Sequence, residues 1–278
     1  MAQWLGDSVI CRHHTSEGVI IPPLDFSDAL GVLLVESGRV RAQIGGETAT
    51  LAASQILFVP EGMMACVTAE RTASVLLLAY PFPMIRDNME RLDRELFEMM
   101  MLQSRVSPLC LTQQDKIYLK VYEALRSAET EYSAKEPCYV LSMRAQACRI
   151  TALLLRHYSV QRTDDDRLRY HNVARLAEAL SYVERHPGEK LTVPLLAERI
   201  HLSADYFSHL VWRCTGKTAV AYLHAVRINM AMRLLCDTDQ KIADVARAVG
   251  YDGADYFSRL FRDSCGCTPA AFRARMRA

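Results

Sequence analysis

The sequence Ala-Asp-Tyr-Phe-Ser occurs twice, at Ala204–Ser208 and at Ala254–Ser258, and this repeat decides the fold of the last third of the chain. The similarity continues at a constant offset of fifty residues, with Leu210, Gly216 and Thr218 recurring as Leu260, Gly266 and Thr268. Upstream of the pentapeptide the offset is forty-nine, because the second copy has one extra residue in its turn. A fixed internal offset indicates a duplicated supersecondary unit.

Each copy predicts two short helices joined by a tight turn. In the first copy Thr192 and Ser203 are expected to cap the two helices, and Pro194 suits a first turn. Gly216 is expected to end the second helix. The second copy repeats this plan, so the units span about 192–216 and 241–266. Two helices of this kind form a helix-turn-helix unit, whose second helix can enter a major groove of DNA.

The outward face of each second helix carries side chains that can read base edges. Arginine pairs with guanine, serine with several bases, and aspartate with cytosine. The candidate base-reading residues are Asp205, Ser208, His209, Asp255, Ser258 and Arg259. Arg259 is the strongest of these candidates. Asp205 and Asp255 have a structural alternative, since a carboxylate in the first turn stabilises a helix dipole.

Basic residues near the two units are candidate contacts to DNA phosphates. They are Lys190, Arg213, Lys217, Lys241 and Arg262. Trp212, on the same outward face, is expected either to touch DNA or to lie against the helix that follows.

Between the units, residues 218–236 contain no Gly or Pro. Their apolar residues follow one stripe at roughly helical spacing: Ala221, Tyr222, Ala225, Ile228, Met232 and Leu235. A helix of this length spans ~28 Å. Successive major-groove faces on one side of B-DNA lie ~34 Å apart. A rigid linker of this kind predicts two recognition helices in adjacent grooves, with some bending of the DNA.

The chain from about 176 to 277 resembles the AraC/XylS family of bacterial transcription regulators. The resemblance rests on matched residues at matched spacings: Ile242–Ala246, Val249–Tyr251, Tyr256–Phe261, Gly266, Thr268-Pro269 and Phe272-Arg273. It implies binding to double-stranded promoter or operator DNA through both units, contact with RNA polymerase, and activation more often than repression. It also implies a small-molecule effector at an amino-terminal domain and a homodimer whose contact is carried by helices.

The amino half predicts short strands up to about Tyr80. Apolar or alternating runs occur at Leu30–Val35, Gly38–Ile44, Gln55–Val59, Ala65–Thr68 and Ser74–Ala79. Gly45-Gly46, Pro60–Gly62 and the region of Arg71 are expected turns. Closely spaced strands favour a small barrel or sandwich.

The segment Leu57–Gly62 resembles part of a cupin barrel. Metal-binding cupins have histidines beside this turn, whereas Met63, Met64, Ala65 and Cys66 follow it here. No metal site and no cofactor are therefore expected. His13-His14 is interpreted as solvated or capping rather than as a ligand pair.

Three helical patterns follow the strands, at about 83–102, 112–132 and 137–159. The last two predict an αα-hairpin, and the Met-rich first pattern indicates adaptable core or interface. Their apolar stripes are compatible with a dimer contact or with core inside the domain. The expected fold class is α+β: a cupin-like effector-binding and dimerisation domain at 1–160, with the barrel at about 5–80, a polar linker at 161–168, and an all-α DNA-binding domain at 169–278.

Charge and cysteine usage fit this division. The net charge is +1, but from Leu168 onward sixteen Lys/Arg and eleven Asp/Glu give +5, and the preceding part carries −4. A basic carboxyl half suits nucleic acid. The nine cysteines form no Cys-x-x-Cys pair. With no signal peptide or membrane span expected, a reduced bacterial cytoplasm is the predicted compartment.

The main hypothesis is therefore a DNA-binding transcription regulator that responds to a small effector, and not an enzyme. A second hypothesis gives the amino-terminal domain a protein partner, such as an anti-activator, in place of the metabolite. A remote third is a cupin enzyme or an alkyl-transfer repair protein. That class lacks support, because the sequence has no carboxylate–histidine cluster at metal spacing and no Pro-Cys-His context.

Overall fold

The computed structural model describes residues 9–86, 89–160, 170–186, 189 and 191–277. Strands in these residues are β1 (Ile10–Asp25), β2 (Ala29–Ser37), β3 (Arg39–Ile44), β4 (Glu47–Ala52), β5 (Ile56–Val59), β6 (Met64–Pro81) and β7 (Cys110–Leu111). Helices of the amino half are α1 (Phe82–Arg86), α2 (Arg91–Ser104), α3 (Tyr118–Ala134) and α4 (Tyr139–Val160). Helices of the carboxyl half are α5 (Tyr170–Arg185), α6 (Val193–Arg199), α7 (Ala204–Thr215), α8 (Ala219–Asp237), α9 (Ile242–Ala248), α10 (Ala254–Cys265) and α11 (Pro269–Arg277).

The strands form one curled antiparallel sheet, a half-barrel, in the order β4-β3-β6-β2-β5-β7, with β1 paired to β6. The predicted strands at 65–68 and 74–79 are one continuous strand, so the expected turn around Arg71 is wrong. The reason is β1, which pairs with β6 from Ile10 opposite Ala79 to Asp25 opposite Met64 and bridges the polar middle. The polar stretch from Arg12 to Gly18 gave β1 no recognisable apolar alternation.

Both faces of the central strands are buried. In β2, Leu30, Val32 and Leu34 face the helices and contribute to the larger core. Leu33 and Val35, on the opposite face, belong to a separate core inside the half-barrel. This two-residue alternation of core membership follows from the pleat of a strand, and burial on both sides explains the continuous apolar runs in the sequence.

Helices α3 and α4 form the predicted αα-hairpin, but α3 begins at Tyr118 and not at Thr112. Thr112 instead closes a turn, in which its backbone N–H and its hydroxyl donate to the Asp115 carboxylate at 2.7 and 3.0 Å. The apolar stripes face inward: Val121, Leu125, Ala128, Met143, Ala147, Ile150 and Leu154 are all buried. The methionines Met99 and Met100 are buried core.

The predicted helix caps of the carboxyl half are confirmed. The hydroxyls of Thr192 and Ser203 accept the backbone N–H group three residues onward, at 3.5 and 3.2 Å. Thr218, which was not predicted as a cap, accepts the Ala221 N–H at 3.2 Å and caps α8 in the same way. Gly216 and Gly266 end α7 and α10 with φ of 73° and 71°. Only glycine adopts this left-handed conformation without a steric cost.

Helix α8 is the predicted linker helix, with 19 residues from Ala219 to Asp237. Its buried surface is wider than the single stripe expected from the sequence. Tyr222, Ile228, Met232 and Leu235 are buried as predicted, and Leu223, Val226 and Met230 are buried too, whereas Ala221 is exposed. The reason is that α8 contacts α5 and α7 on one side, α9, α10 and α11 on the other, and β6 of the half-barrel.

Asn229 connects α8 to the half-barrel. This residue is 2% exposed. Its Oδ1 accepts the Met64 N–H at 2.9 Å, and its Nδ2 donates to the Gly62 carbonyl at 2.7 Å. One turn onward, Arg233 donates to the same carbonyl at 2.6 Å and pairs with Asp25 at 3.1 Å. The loop at Gly62, just before β6, is therefore bound by side chains from two consecutive helical turns of α8.

We expect Asn229→Ala to weaken this connection, because it leaves a buried backbone N–H without its acceptor. Leaving such a group unpaired costs about 1–3 kcal/mol. Hydrogen exchange should report faster exchange of the Met64 amide in this variant. The control Gln240→Ala removes an exposed amide just beyond α8. Unchanged protection of Met64 in Asn229→Ala would contradict the assignment.

A cluster of charges fastens α3 to the sheet. His13 bonds Glu36 through Nδ1 at 2.8 Å and Glu129 through Nε2 at 2.5 Å. Arg126 pairs with both carboxylates at 2.9 Å. Burial alone would lower the pKa of His13, but its hydrogen bonds to Glu129 and Glu36 outweigh burial and raise this pKa. The histidine is thus a partly exposed ion-pair partner and not a helix cap.

The His13 cluster should stabilise the fold more at low than at high pH. A raised folded-state pKa means that the contribution is complete below the unfolded pKa of about 6.5 and is lost as pH rises through the folded pKa. His13→Gln should therefore lower the melting temperature more at about pH 6 than at about pH 8.5. The difference should correspond to less than about 1 kcal/mol, because the imidazole is 44% exposed.

The matched control is His209→Gln on the exposed face of α7. A loss of melting temperature in His13→Gln that stays constant across this pH range would show that the imidazole acts by shape and not by charge.

Candidate nucleic-acid interface

The two helix-turn-helix units, α6–α7 and α9–α10, have the same internal construction. Phe207 in α7 and Phe257 in α10 are completely buried and fix the second helix of each unit on its core. The opposite faces of α7 and α10 are exposed. Each unit therefore presents one free helix face.

The turns between the helices also match. The N–H of Leu202 donates to Ala197 and the N–H of Tyr251 donates to Ala246, both at 2.9 Å. The residue before each has positive φ: 53° at His201 and 84° at Gly250. Glycine adopts this conformation freely, whereas histidine does so at some cost. The two turns therefore have the same backbone geometry although their sequences differ.

All six predicted base-reading residues lie in the first two turns of α7 and α10. Asp205, His209, Asp255 and Arg259 are exposed, and Ser208 and Ser258 are half-buried at equivalent positions. The structure thus brings them together as two patches, one on each unit. Trp212 is 56% exposed, and its ring lies beside that of His209 on the same helix.

Sequence reasoning missed two tyrosines on these faces. Tyr206 and Tyr256 are equivalent positions of the repeat and are 39% and 45% exposed. The guanidinium of Arg259 lies 5.4 Å from the centre of the Tyr256 ring, a cation–π contact that favours one orientation of the arginine. The sequence did contain a signal for their exposure. Each tyrosine directly precedes a buried phenylalanine in the repeat, and neighbouring residues of a helix cannot point to the same face.

The candidate phosphate contacts fall into three groups. Lys241 and Arg262 are exposed on the second unit. Arg213 is half-buried and has other partners. Lys217, which follows α7, is ion-paired with Glu47 at the start of β4. Lys190 lies outside the described residues. The second unit therefore offers the more accessible positive charge.

The second unit is tied to the linker helix through Tyr251. The Tyr251 hydroxyl and the Nδ1 of His224 on α8 are 2.8 Å apart, and the rings stack at 5.8 Å. Arg227 lies 5.5 Å from the ring of Tyr251 and donates to the Leu191 carbonyl at 3.2 Å, which reaches the first unit. Burial, and then the charge of Arg227, lowers the pKa of His224. A neutral imidazole suits this enclosed position.

Metal binding, redox chemistry and membrane insertion each require a specific arrangement of residues. Across the described ranges, no three His, Cys, Asp or Glu side chains are grouped to hold a metal ion. The nine cysteines are free thiols, and burial raises the pKa of Cys265 to about 12, so this thiol is poorly suited to redox chemistry with Cys267. No helix in the described part of the chain is both long and apolar enough to span a bilayer.

Comparison with known proteins agrees with this geometry. Residues 196–275 match a family model described as a helix-turn-helix domain. The chain is 37% identical over 97 residues to the MmsAB operon regulatory protein of Pseudomonas aeruginosa, covering 35% of this chain and 32% of that protein. It is 35% identical over 101 residues to the arabinose operon regulatory protein of Escherichia coli, covering 36% of this chain and 35% of that one. The matched segment thus spans about a third of each relative.

The likeness of the whole chain is one of fold. The crystal structure of unsaturated fatty acid bound wild-type ToxT from Vibrio cholerae superposes with a TM-score of 0.56 at 12% identity, covering 98% of this chain and 97% of that one. The two proteins therefore share their fold over nearly the whole length of both chains. The resemblance of the last third of the chain to AraC/XylS transcription regulators is thus matched by a duplicated helix-turn-helix domain.

Proposed function

We propose that this regulator binds a specific promoter or operator sequence through both helix-turn-helix units at once. The observation that carries the proposal is the repeated geometry: two exposed helix faces with equivalent residues, each held on one 19-residue helix. The side chains that would read bases are Asp205, Ser208, His209, Asp255, Ser258 and Arg259. Lys190, Arg213, Lys217, Lys241 and Arg262 would contact phosphates.

We further propose that the amino-terminal half regulates this binding in response to a small-molecule effector, and that the protein acts as a homodimeric activator in contact with RNA polymerase. Support comes from the broad interface between the halves, where α2 lies against α5 and α7 and where Asn229 joins α8 to the sheet. A structural neighbour, ToxT, has been crystallised with an unsaturated fatty acid. That ligand is a property of ToxT.

Two alternatives remain as outcomes of experiment. A protein partner in place of a metabolite would appear as co-purification without metabolite binding. An enzymatic role has one relative in its favour: the AdaA protein of Bacillus subtilis is named a bifunctional transcriptional activator and DNA repair enzyme, and is 37% identical over 92 residues. That match covers 33% of this chain, which corresponds to the length of the DNA-binding domain alone.

The direct test of the function is selection of binding sites from random duplex DNA with the full chain. The expected result is an enriched sequence with two conserved segments. Recovery of DNA without any common sequence would overturn the proposed function.

Arg259→Ala should weaken binding to the selected site by about 1–3 kcal/mol and relax specificity at one base pair. The reason is the loss of a bidentate contact to guanine. Fluorescence anisotropy with the selected duplex and with single-base variants measures both effects. Arg149→Ala, an exposed arginine on α4, is the matched control. Equal affinity for Arg259→Ala and the parent chain would remove Arg259 from the interface.

Glu47→Gln should strengthen DNA binding, since it frees Lys217 to contact a phosphate. One added phosphate contact should steepen the slope of log K against log salt by up to ~0.9. The affinity gain should be several-fold at low salt and should shrink as salt rises. Glu70→Gln, on the exposed part of β6, should change neither quantity. If Glu47→Gln leaves the salt slope as it is, Lys217 has no phosphate partner.

A further inference from the structure

A cavity of about 290 Å³ lies between α2 and α4, on the helical side of the sheet. Its apolar wall consists of Ile85, Met89, Leu96 and Leu155. Asp93 and Arg156 lie at the same cavity. A volume near ~300 Å³ is at the small end of the range for ligand pockets, which combine apolar walls with a few polar groups.

The inner side of the half-barrel is filled more tightly. Two voids on its inner side hold about 10 Å³ each, because Leu33, Leu57 and Leu77 fill it. Such a void holds about one water molecule. A wider depression of about 410 Å³ lies over the loops at 52–55 and 112–114, but its lining is alanine, serine, threonine and glutamine without a large apolar side chain. Among these spaces, the α2–α4 cavity is the one built for an amphipathic small molecule.

The charges at the cavity specify the class of ligand. Asp93 on α2 and Arg156 on α4 are both exposed. Within the described residues, neither side chain has a hydrogen bond or an ion pair with another group. A ligand that complements them carries a positive and a negative group at one end and an apolar body at the other.

We propose that this cavity binds an apolar α-amino acid or a similarly built zwitterion. The carboxylate pairs with Arg156, the ammonium pairs with Asp93, and the side chain lies against Met89, Leu96 and Leu155. The assignment rests on the proposed function in one respect only, which is that the bound molecule acts as the effector of DNA binding.

The fold links this cavity to the DNA-binding surface. On the α4 side the wall is anchored: the Thr151 hydroxyl donates to the Ala147 carbonyl at 3.0 Å and is 3.0 Å from the Tyr80 hydroxyl of β6. Helix α2 forms the other wall and also packs against α5 and α7. A ligand that draws α2 toward α4 therefore changes the support of α7, which carries Asp205, Ser208 and His209. Such coupling requires different ligand affinities in the two arrangements.

The test is calorimetry of the full chain with L-phenylalanine and L-leucine. Two analogues provide the contrast: phenethylamine lacks the carboxylate, and 3-phenylpropionate lacks the ammonium. The expected result is that an amino acid binds and that each single-charge analogue binds about tenfold to a hundredfold more weakly, as for the loss of one charged hydrogen bond. Equal binding of 3-phenylpropionate would make the cavity an anion site and overturn the zwitterion assignment.

Substitutions at the lining of the α2–α4 cavity test whether the ligand binds there. Arg156→Gln and Asp93→Asn are at exposed positions, so their folding is secure, and each should weaken amino-acid binding about tenfold to a hundredfold. Ala152→Phe should abolish binding by filling the cavity, with its melting temperature as the check on folding. Arg149→Gln lies on α4 outside the cavity lining and should bind as the parent does. Absence of binding by both amino acids, or full binding by Ala152→Phe, would overturn the site.

A second measurement separates this inference from the proposed function. Anisotropy with the selected duplex is repeated with and without the amino acid that binds, and an affinity change of at least several-fold is expected. Specific DNA binding without amino-acid binding would contradict the ligand assignment of the cavity and leave the proposed function intact. Amino-acid binding without any DNA sequence preference would contradict the proposed function and leave the ligand assignment of the cavity intact. If the protein binds the amino acid and the DNA but neither changes the affinity for the other, the proposed coupling through α2 is wrong.

Discussion

Helix α8 is the constraint on which the rest of the structure depends. Its sides complete the cores of both helix-turn-helix units, through Tyr222 and Ile228 among others, and its remaining buried surface meets the half-barrel. Asn229 and Arg233 hold the turn at Gly62 at the same time. One rigid helix therefore contacts both helix-turn-helix units and the half-barrel. Because of this, a shift of the sheet relative to α8 affects the surroundings of both recognition helices. The distance between the two recognition helices is fixed by α8.

Under the proposed function, the amino half has two routes to DNA. One is electrostatic: Glu47 of the sheet holds Lys217 beside α7, where a phosphate would compete for the same ammonium. The other is mechanical: α2 separates the α2–α4 cavity from α5 and α7. Both routes reach the first unit, whereas the second unit carries the exposed arginines Arg259 and Arg262.

Much of the carboxyl half could be predicted from sequence, because its signals are local. Hydroxyl caps at Thr192 and Ser203, glycine stops at Gly216 and Gly266, and a repeat at fixed offset each specify a short piece of backbone. The predictions that failed depended on distant partners. The polar strand β1 exists because β6 pairs with it, and the true start of α3 follows from the turn that Thr112 makes with Asp115. The pairing of Lys217 with Glu47 joins residues 170 positions apart, which no local pattern reports.

The central claim is that both units of one chain occupy one stretch of duplex. Hydroxyl-radical footprinting of the full chain on its selected site measures this directly. Simultaneous binding should give two protected segments on one face of the DNA, separated by one helical turn of about 10–10.5 base pairs. A single protected segment, or two segments on opposite faces of the duplex, would contradict it.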